Sequence, residues 1–142
     1  MPNLHPFLTH FPIALFTATL VFDGISILVK NHSFERIGWW TMLLGTLGLV
    51  GSIITGLLAK GSIHISPPSS AVLEMHEQIA FVIAAIATCS LLWRISARTH
   101  LPQRRAIYFM VITALVVFTW VGAWYGGELV YRYGVGVQML SR

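Results

Sequence analysis

Histidines and carboxylates gather near one set of ends of the long apolar stretches in this chain. The set contains four of the six histidines and three of the five acidic residues: His5, His10, His64, His76, Glu74, Glu77 and Glu128. Neutral imidazole is the commonest protein ligand for transition metals and a frequent axial ligand of haem iron. The clustering therefore predicts a metal or haem site at that end of the protein.

The composition identifies the element type that must position these residues. Of 142 residues, 56% are hydrophobic and 10% are charged, and the mean hydropathy is +0.74. A soluble domain of this size carries far more charge, whereas a membrane-spanning helix needs about 20 predominantly apolar residues. The sequence predicts an all-α, up-down-up-down bundle of four transmembrane helices. Residues 1–142 would form one domain with both termini on the same side.

Four apolar runs mark the predicted helices. They extend from Pro6 to Val29, from Ile37 to Ala59, from Ala71 to Trp93 and from Ala106 to Tyr125. The short segments between them make neighbouring helices antiparallel. No internal repeat is evident in the sequence.

The basic residues predict the orientation of the bundle. Six of them flank the first and third loops, namely Lys30, Arg36, Arg94, Arg98, Arg104 and Arg105, against Lys60, Arg132 and Arg142 at the other side. Cytoplasmic loops carry the excess of Lys and Arg. We therefore expect a multi-pass protein of the bacterial inner (cytoplasmic) membrane, with the histidine-rich end facing the periplasm. The net charge of +4 is then a feature of topology, and no nucleic-acid partner is expected.

Two histidines lie above stripes of small or slender side chains. From His10 the stripe runs through Ala14, Thr17, Val21 and Gly24, and from His76 it runs through Ala80, Ile83, Ala87 and Ser90. Residues spaced alternately by four and three share one helix face. Such grooves give room for a flat macrocycle between two imidazoles, although they also let helices pack closely.

The other candidates are secondary. His5 precedes Pro6 at the start of the first helix and lies about 140° around the helix from His10, which makes it a weaker ligand candidate. His64 in the second loop is free either to reach the site or to be solvated. Glu128 follows Gly126 and Gly127, which would permit a tight exit that returns the carboxylate over the bundle, or it would pair with Arg132.

Four other polar residues of the sequence are assigned structural or surface roles. Asp23 and Arg94 are expected at similar depth and predict a buried ion pair. His32 and His100 are expected to be surface residues at the opposite side.

Cys89 is the only cysteine, so a disulfide framework or a cysteine-based zinc site is excluded. No nucleophilic triad or phosphate loop is present, which disfavours a hydrolase or kinase and leaves any enzymatic activity undecided.

The opening HPFLTHFP, Asp23, His76 and the closing GGELVYRYGVGV together resemble an uncharacterised family of four-helix bacterial predicted membrane proteins, a domain of unknown function. The matching positions are His5, His10, Asp23, His76, Gly126, Gly127, Glu128, Tyr131 and Gly134. Members of that family occur fused to or near c-type cytochrome modules. The resemblance therefore implies a setting in extracytoplasmic electron transfer.

These observations favour a membrane electron-transfer protein, or a subunit of a larger respiratory or photosynthetic complex, that binds b-type haem between helices 1 and 3. His10 and His76 would be the axial ligands, and Tyr131, Arg132 and Lys60 would meet the haem propionates. The expected partners are lipid, other subunits of the complex, a periplasmic c-type cytochrome and the quinone pool.

Two alternatives stay open. One is a copper or zinc site formed by His10, His76 and Glu128 with His5 or His64. The other is an accessory subunit without a cofactor, whose small-residue stripes bind neighbouring subunits.

Overall fold

The computed structural model describes residues 4–61 and 67–136, which form four long helices and contain no strand. Helix α1 spans His5–Val29, α2 spans His32–Lys60, α3 spans Pro67–Ser96 and α4 spans Arg105–Tyr131. Each helix is long and apolar enough to cross a membrane. The predicted class, an all-α bundle of four membrane-spanning helices, is confirmed.

The helix ends follow local sequence signals, and each of the four helices extends beyond its predicted apolar run. Pro6 lies in the first turn of α1, where its missing N–H costs nothing, and the side chain of Asn31 caps α2 by accepting from the Ser33 N–H at 2.9 Å. Helix α4 was expected to end at Tyr125, but it continues through Gly126 and Gly127 to Tyr131. The expected tight exit at the two glycines was therefore wrong, because the helix continues through both, and Gly126 lies against the His76 ring of α3.

The helices are arranged in a ring, in which each packs against the next along the chain and α4 packs back against α1. Helices α1 and α3 face each other across the bundle. Phe16, Met42, Tyr108, Ile112 and Leu115 form the centre of the core and are fully buried. Large apolar side chains such as Leu28 and Trp124 cover the outside, as expected for a surface in contact with lipid.

Glycines on α2 bring that helix close to α1. A Cβ added at Gly45 would lie 2.9 Å from the Phe16 ring, and one at Gly48 would lie 2.9 Å from Phe11 Cβ. A Cβ at Gly38 would collide with the Asp23 carboxylate. Small residues permit such close approach between transmembrane helices, so these glycines pack α2 against α1.

The bundle contains a structural repeat that the sequence does not reveal. The buried residues Pro12, Phe16, Thr19 and Asp23 of α1 are each followed 71 residues later by a buried residue of α3, namely Ile83, Ala87, Ser90 and Arg94. For α2 and α4 the corresponding spacing is one residue shorter, and it relates Gly38, Met42, Gly45, Leu49 and Ser52 to Tyr108, Ile112, Leu115, Thr119 and Gly122. The hairpins α1–α2 and α3–α4 thus carry buried residues at equivalent positions. Few residues are identical at equivalent positions, which explains why the repeat escapes inspection of the sequence.

Candidate functional site

The imidazoles of His5 and His76 meet at one end of the bundle, reaching towards each other from the diagonally opposed helices α1 and α3. Their ring centroids lie 6.1 Å apart and the ring planes are inclined by 85°. Both residues are partly buried. His76 follows His5 by 71 residues, so the two histidines occupy equivalent positions of the two hairpins.

Each ring is anchored to the backbone of the next helix. His5 Nδ1 donates to the carbonyl oxygen of Ser52 on α2 at 2.8 Å, and His76 Nδ1 donates to the carbonyl oxygen of Gly122 on α4 at 2.9 Å. A carbonyl can only accept, so the proton of each neutral ring is placed on Nδ1. Nε2 is then the nitrogen with ligand character, and a backbone carbonyl on the other nitrogen is the usual support of a metal-binding histidine.

A glycine lies under each ring. A Cβ at Gly56 on α2 would lie 2.9 Å from His5 Cε1, and a Cβ at Gly126 on α4 would lie 3.2 Å from His76 Cε1. Each glycine comes four residues, about one helical turn, after the carbonyl that anchors the ring. The two hairpins therefore build the same histidine seat, which consists of an anchoring carbonyl and a glycine one turn later.

The two rings border a cavity of about 250 Å³ that all four helices line. Its wall is mostly apolar and includes Leu49, Ile83 and Leu129. Lys60 and Glu77 also line it and form an ion pair of 2.8 Å between Nζ and Oε2. The site thus combines two imidazoles with an apolar interior and a charged pair.

His10 does not belong to this cavity. The residue is exposed, its Nδ1 donates to the carbonyl oxygen of Pro6 at 2.7 Å, and it is not among the residues that line the cavity. The buried face of α1 is defined by Pro12, Phe16 and Thr19. His5 lies on that face, whereas His10 is rotated by about 140° from His5. The structure therefore brings His5, and not His10, to His76.

The three candidates at the end of α4 also lie outside the cavity. Glu128 Oε1 accepts from Arg132 at 2.8 Å, one turn later on the same helix, and the Arg132 guanidinium lies 5.5 Å from the ring centroid of Tyr133. Tyr131 is 92% exposed. Since α4 continues to Tyr131, the Glu128 side chain points along the helix surface. His64 falls outside the described residues.

A buried polar cluster lies on the same two helix faces at the far end. Arg94 Nη1 donates to Asp23 Oδ2 at 2.5 Å and to the Tyr108 hydroxyl at 2.9 Å, and Tyr108 donates to Asp23 Oδ2 at 2.6 Å. Asp23 and Arg94 are fully buried, so the predicted ion pair is confirmed. Because a buried charge that loses its partner costs about 3–5 kcal/mol, this pair fixes the rotation of α1 against α3.

The spacing between these two clusters could have identified His5 from the sequence as a residue that faces the bundle interior. Asp23 follows His5 by 18 residues and Arg94 follows His76 by 18 residues, which is five whole helical turns. Asp23 has to face the bundle interior, and a residue five turns earlier shares its face. The anchoring carbonyls of Ser52 and Gly122 had no such signal, because backbone groups are independent of residue type.

The comparisons with known proteins agree with the fold. A family model described as predicted membrane protein (DUF2231) matches residues 1–139. No curated protein and no solved structure matches the chain significantly. Since the family model covers nearly the whole length, the chain belongs to this family of predicted membrane proteins, for which no function is known.

Proposed function

We propose that this membrane protein holds a b-type haem between His5 and His76 and serves in electron transfer. The observation that carries the proposal is the pair of anchored imidazoles, 6.1 Å apart, at the border of an apolar cavity. His5 takes the place that the sequence assigned to His10. A haem iron held between two imidazoles would supply one-electron redox chemistry.

The number of ligands favours haem over zinc. A porphyrin provides four equatorial nitrogens, so the protein has to provide only two axial ligands. Zinc sites use three or four protein ligands. Within residues 4–61 and 67–136, the groups of three potential ligands close enough to share an ion do not include His5 or His76. Two imidazoles suit haem better than a site for a bare zinc ion.

The ring spacing also suits one metal atom between the two rings. A metal–imidazole bond measures about 2 Å, so each ring centre lies roughly 3 Å from a metal that it binds. Two rings that bind one metal from opposite sides have centres roughly 6 Å apart, which the 6.1 Å separation matches. A metal-free organic molecule stacked between the two rings would need a wider gap.

The protein would contribute ligand orientation and a dry environment. The carbonyls of Ser52 and Gly122 hold the rings, and a hydrogen bond at Nδ1 makes Nε2 a stronger donor to iron. The mostly apolar wall would lower the polarity around the haem, which is one of the means by which a protein sets a haem potential. Among the described residues, Lys60 is the basic side chain that lines the cavity, and we expect it, in preference to Arg132 and Tyr131, to meet a propionate.

The cavity volume favours a copper ion as a second candidate occupant. At about 250 Å³ the space lies just below the range of about 300–1,000 Å³ that is typical for small organic ligands. A haem held here would extend beyond the enclosed part, whereas a single copper ion would not. Imidazole is a good ligand for copper, so a copper site of His5 and His76 is the second candidate.

The setting of this function follows from the membrane fold. The four apolar helices place the outer surface in contact with lipid. The excess of basic residues at the opposite end supports a histidine-bearing end that faces the periplasm of a bacterial inner membrane. A periplasmic c-type cytochrome, the quinone pool or neighbouring subunits of a redox complex would then exchange electrons with the site.

One preparation separates these proposals. The chain is produced in haem-replete cells and purified in detergent, and its reduced-minus-oxidised absorption spectrum and its iron and copper contents are measured. A sharp α-band with one iron per chain supports haem, and a spectrum without this band but with one copper per chain supports the second candidate. A protein that contains neither overturns both and leaves the accessory role.

A further inference from the structure

The second concentration of ligand atoms lies at the opposite end of the bundle from His5 and His76. His32 is the first residue of α2, Glu35 lies in the first turn of that helix, and His100 belongs to the segment between α3 and α4. One ligand atom from each of the three residues lies within 4.8 Å of the others. Both hairpins contribute, since His32 and Glu35 come from the first and His100 from the second.

The Glu35 carboxylate occupies the centre of this group. Oε2 accepts from His32 Nδ1 at 2.8 Å, Oε1 accepts from the backbone N–H of Leu101, and His100 Nδ1 lies 3.6 Å from Oε1. The Glu35 side chain is only 7% exposed, while those of His32 and His100 are 85% and 70% exposed. A carboxylate is thus held rigidly between two imidazoles that solvent can reach.

The backbone around the group is held by Arg94. Its Nη2 donates to the carbonyl oxygen of Glu35 at 2.9 Å and to that of Thr99 at 3.2 Å. The buried guanidinium therefore ties the start of α2 to the segment that carries His100. These bonds are independent of the imidazoles and fix the distance between the two sides of the group.

The segment before His100 has an unfavourable backbone conformation. Arg98 and Thr99 have φ angles of 56° and 67°, a left-handed region that costs non-glycine residues energy and is rare for a β-branched residue such as threonine. Such strain persists only where surrounding contacts enforce it, and it concentrates at ligand-binding sites. Here it places His100 beside Glu35.

We propose that His32, Glu35 and His100 bind a divalent transition-metal ion, with Zn²⁺ as the representative. Two imidazole nitrogens and one carboxylate oxygen form a ligand set of the kind that leaves a fourth position for water or substrate. The Leu101 N–H supports the carboxylate from behind, as groups next to a metal ligand usually do. His32 and Glu35 also line a cavity of about 350 Å³, so the ion would be accessible from outside.

The test uses the full chain carrying both His5→Ala and His76→Ala as the background protein. The His5–His76 site then cannot bind metal, so failure of the haem proposal is distinguishable from failure of the Zn²⁺ proposal. The protein is stripped with a chelator and titrated with Zn²⁺ by calorimetry. We expect one Zn²⁺ per chain. His32→Ala, His100→Ala and Glu35→Gln should each weaken binding by at least about tenfold, because loss of even an outer-shell partner typically costs about 10–100-fold.

The matched control is His10→Ala, which removes an exposed histidine outside the group. It should leave Zn²⁺ binding unchanged. At the same Zn²⁺ concentration, the thermal unfolding midpoint should rise more in the background protein than in the His32→Ala variant, because stabilisation by a ligand falls as its affinity falls. Removal of the exposed His32 and His100 side chains leaves the core intact. Absence of stoichiometric Zn²⁺ binding, or unchanged affinity in both histidine variants, would overturn the proposal.

Discussion

The His5 and His76 imidazoles lie edge to face with centroids 6.1 Å apart, and each donates through Nδ1 to a backbone carbonyl of the following helix. The two rings occupy equivalent positions in two related hairpins. Five turns further along the same helix faces, the equivalent pair is the ion pair of Asp23 and Arg94. The two clusters are about 27 Å apart along the helices, at a rise of about 1.5 Å per residue.

Replacement of the ring histidines should remove the haem. His5→Ala and His76→Ala are each expected to lower haem content at least about tenfold, since a metal ligand matters more than the outer-shell groups whose loss costs about 10–100-fold. His10→Ala on the same helix is the matched control and should retain the haem. Haem is quantified per chain after purification. If His10→Ala loses the haem and His5→Ala retains it, the axial ligands are His10 and His76, as expected from the sequence, and the His5–His76 pair is wrong.

Alanine at the two seat glycines should displace the rings without weakening the helices. In Gly56→Ala the new Cβ would lie 2.9 Å from His5 Cε1, so the ring has to shift. Alanine favours a helix over glycine by about 0.8–1.0 kcal/mol, so unfolding should not become easier. Gly51→Ala is the control, because its Cβ meets only Leu8 Cδ1 at 3.8 Å. We expect haem loss in Gly56→Ala and Gly126→Ala only, and equal loss in Gly51→Ala would argue against the seat.

Removal of one partner of the buried ion pair should destabilise the bundle strongly. Arg94→Met leaves the Asp23 carboxylate buried without its cation, which typically costs about 3–5 kcal/mol. The double variant Asp23→Leu with Arg94→Met should recover the part of that loss that comes from the unpaired carboxylate, because apolar replacement of a buried pair is often nearly neutral, whereas the Glu35 and Thr99 carbonyls still lack their donor. Unfolding of detergent-solubilised protein, followed by helical circular dichroism, measures both. Additive losses in the double variant would show that the two residues act independently.

The ion pair of Glu128 and Arg132 should contribute little to the free energy of unfolding. Glu128→Gln and Arg132→Ala disturb a pair on the surface of α4, where the Arg132 side chain is 70% exposed. Exposed pairs are typically worth about 0–1 kcal/mol, so unfolding should shift only slightly. Both variants should also keep the haem, because neither residue lines the cavity. Haem loss in Arg132→Ala would return this residue to the role in propionate binding that the sequence suggested.

The fold was predictable from the sequence because the bilayer imposes a simple rule. A run of about 20 apolar residues has to be a helix, since unpaired backbone groups are too costly in hydrocarbon. Composition alone therefore predicted four spans and short connections. The end of α4 was harder to predict from the sequence. Glycine destabilises helices in water, but it is tolerated in membrane helices where it lets neighbouring helices pack closely.

The site was predictable only in part. The stripe from His76 through Ile83, Ala87 and Ser90 is the buried face of α3, as expected. On α1 the small residues after His10 suggested a groove, but residue size does not distinguish a face towards helices from a face towards lipid. The polar residues Thr19, Asp23 and Ser26 do make that distinction, and they select the face of His5. The anchoring carbonyls needed the structure itself.

Electron paramagnetic resonance of the oxidised, purified protein tests the central claim most directly, because the signal of haem iron reports its axial ligands. We expect a low-spin ferric signal typical of two imidazole ligands. The signal should become high-spin when His5→Ala or His76→Ala removes one ligand, and it should be unchanged in His10→Ala. A high-spin signal in the unaltered protein, or a low-spin signal that survives both the His5→Ala and the His76→Ala change, would contradict a haem held between these two rings.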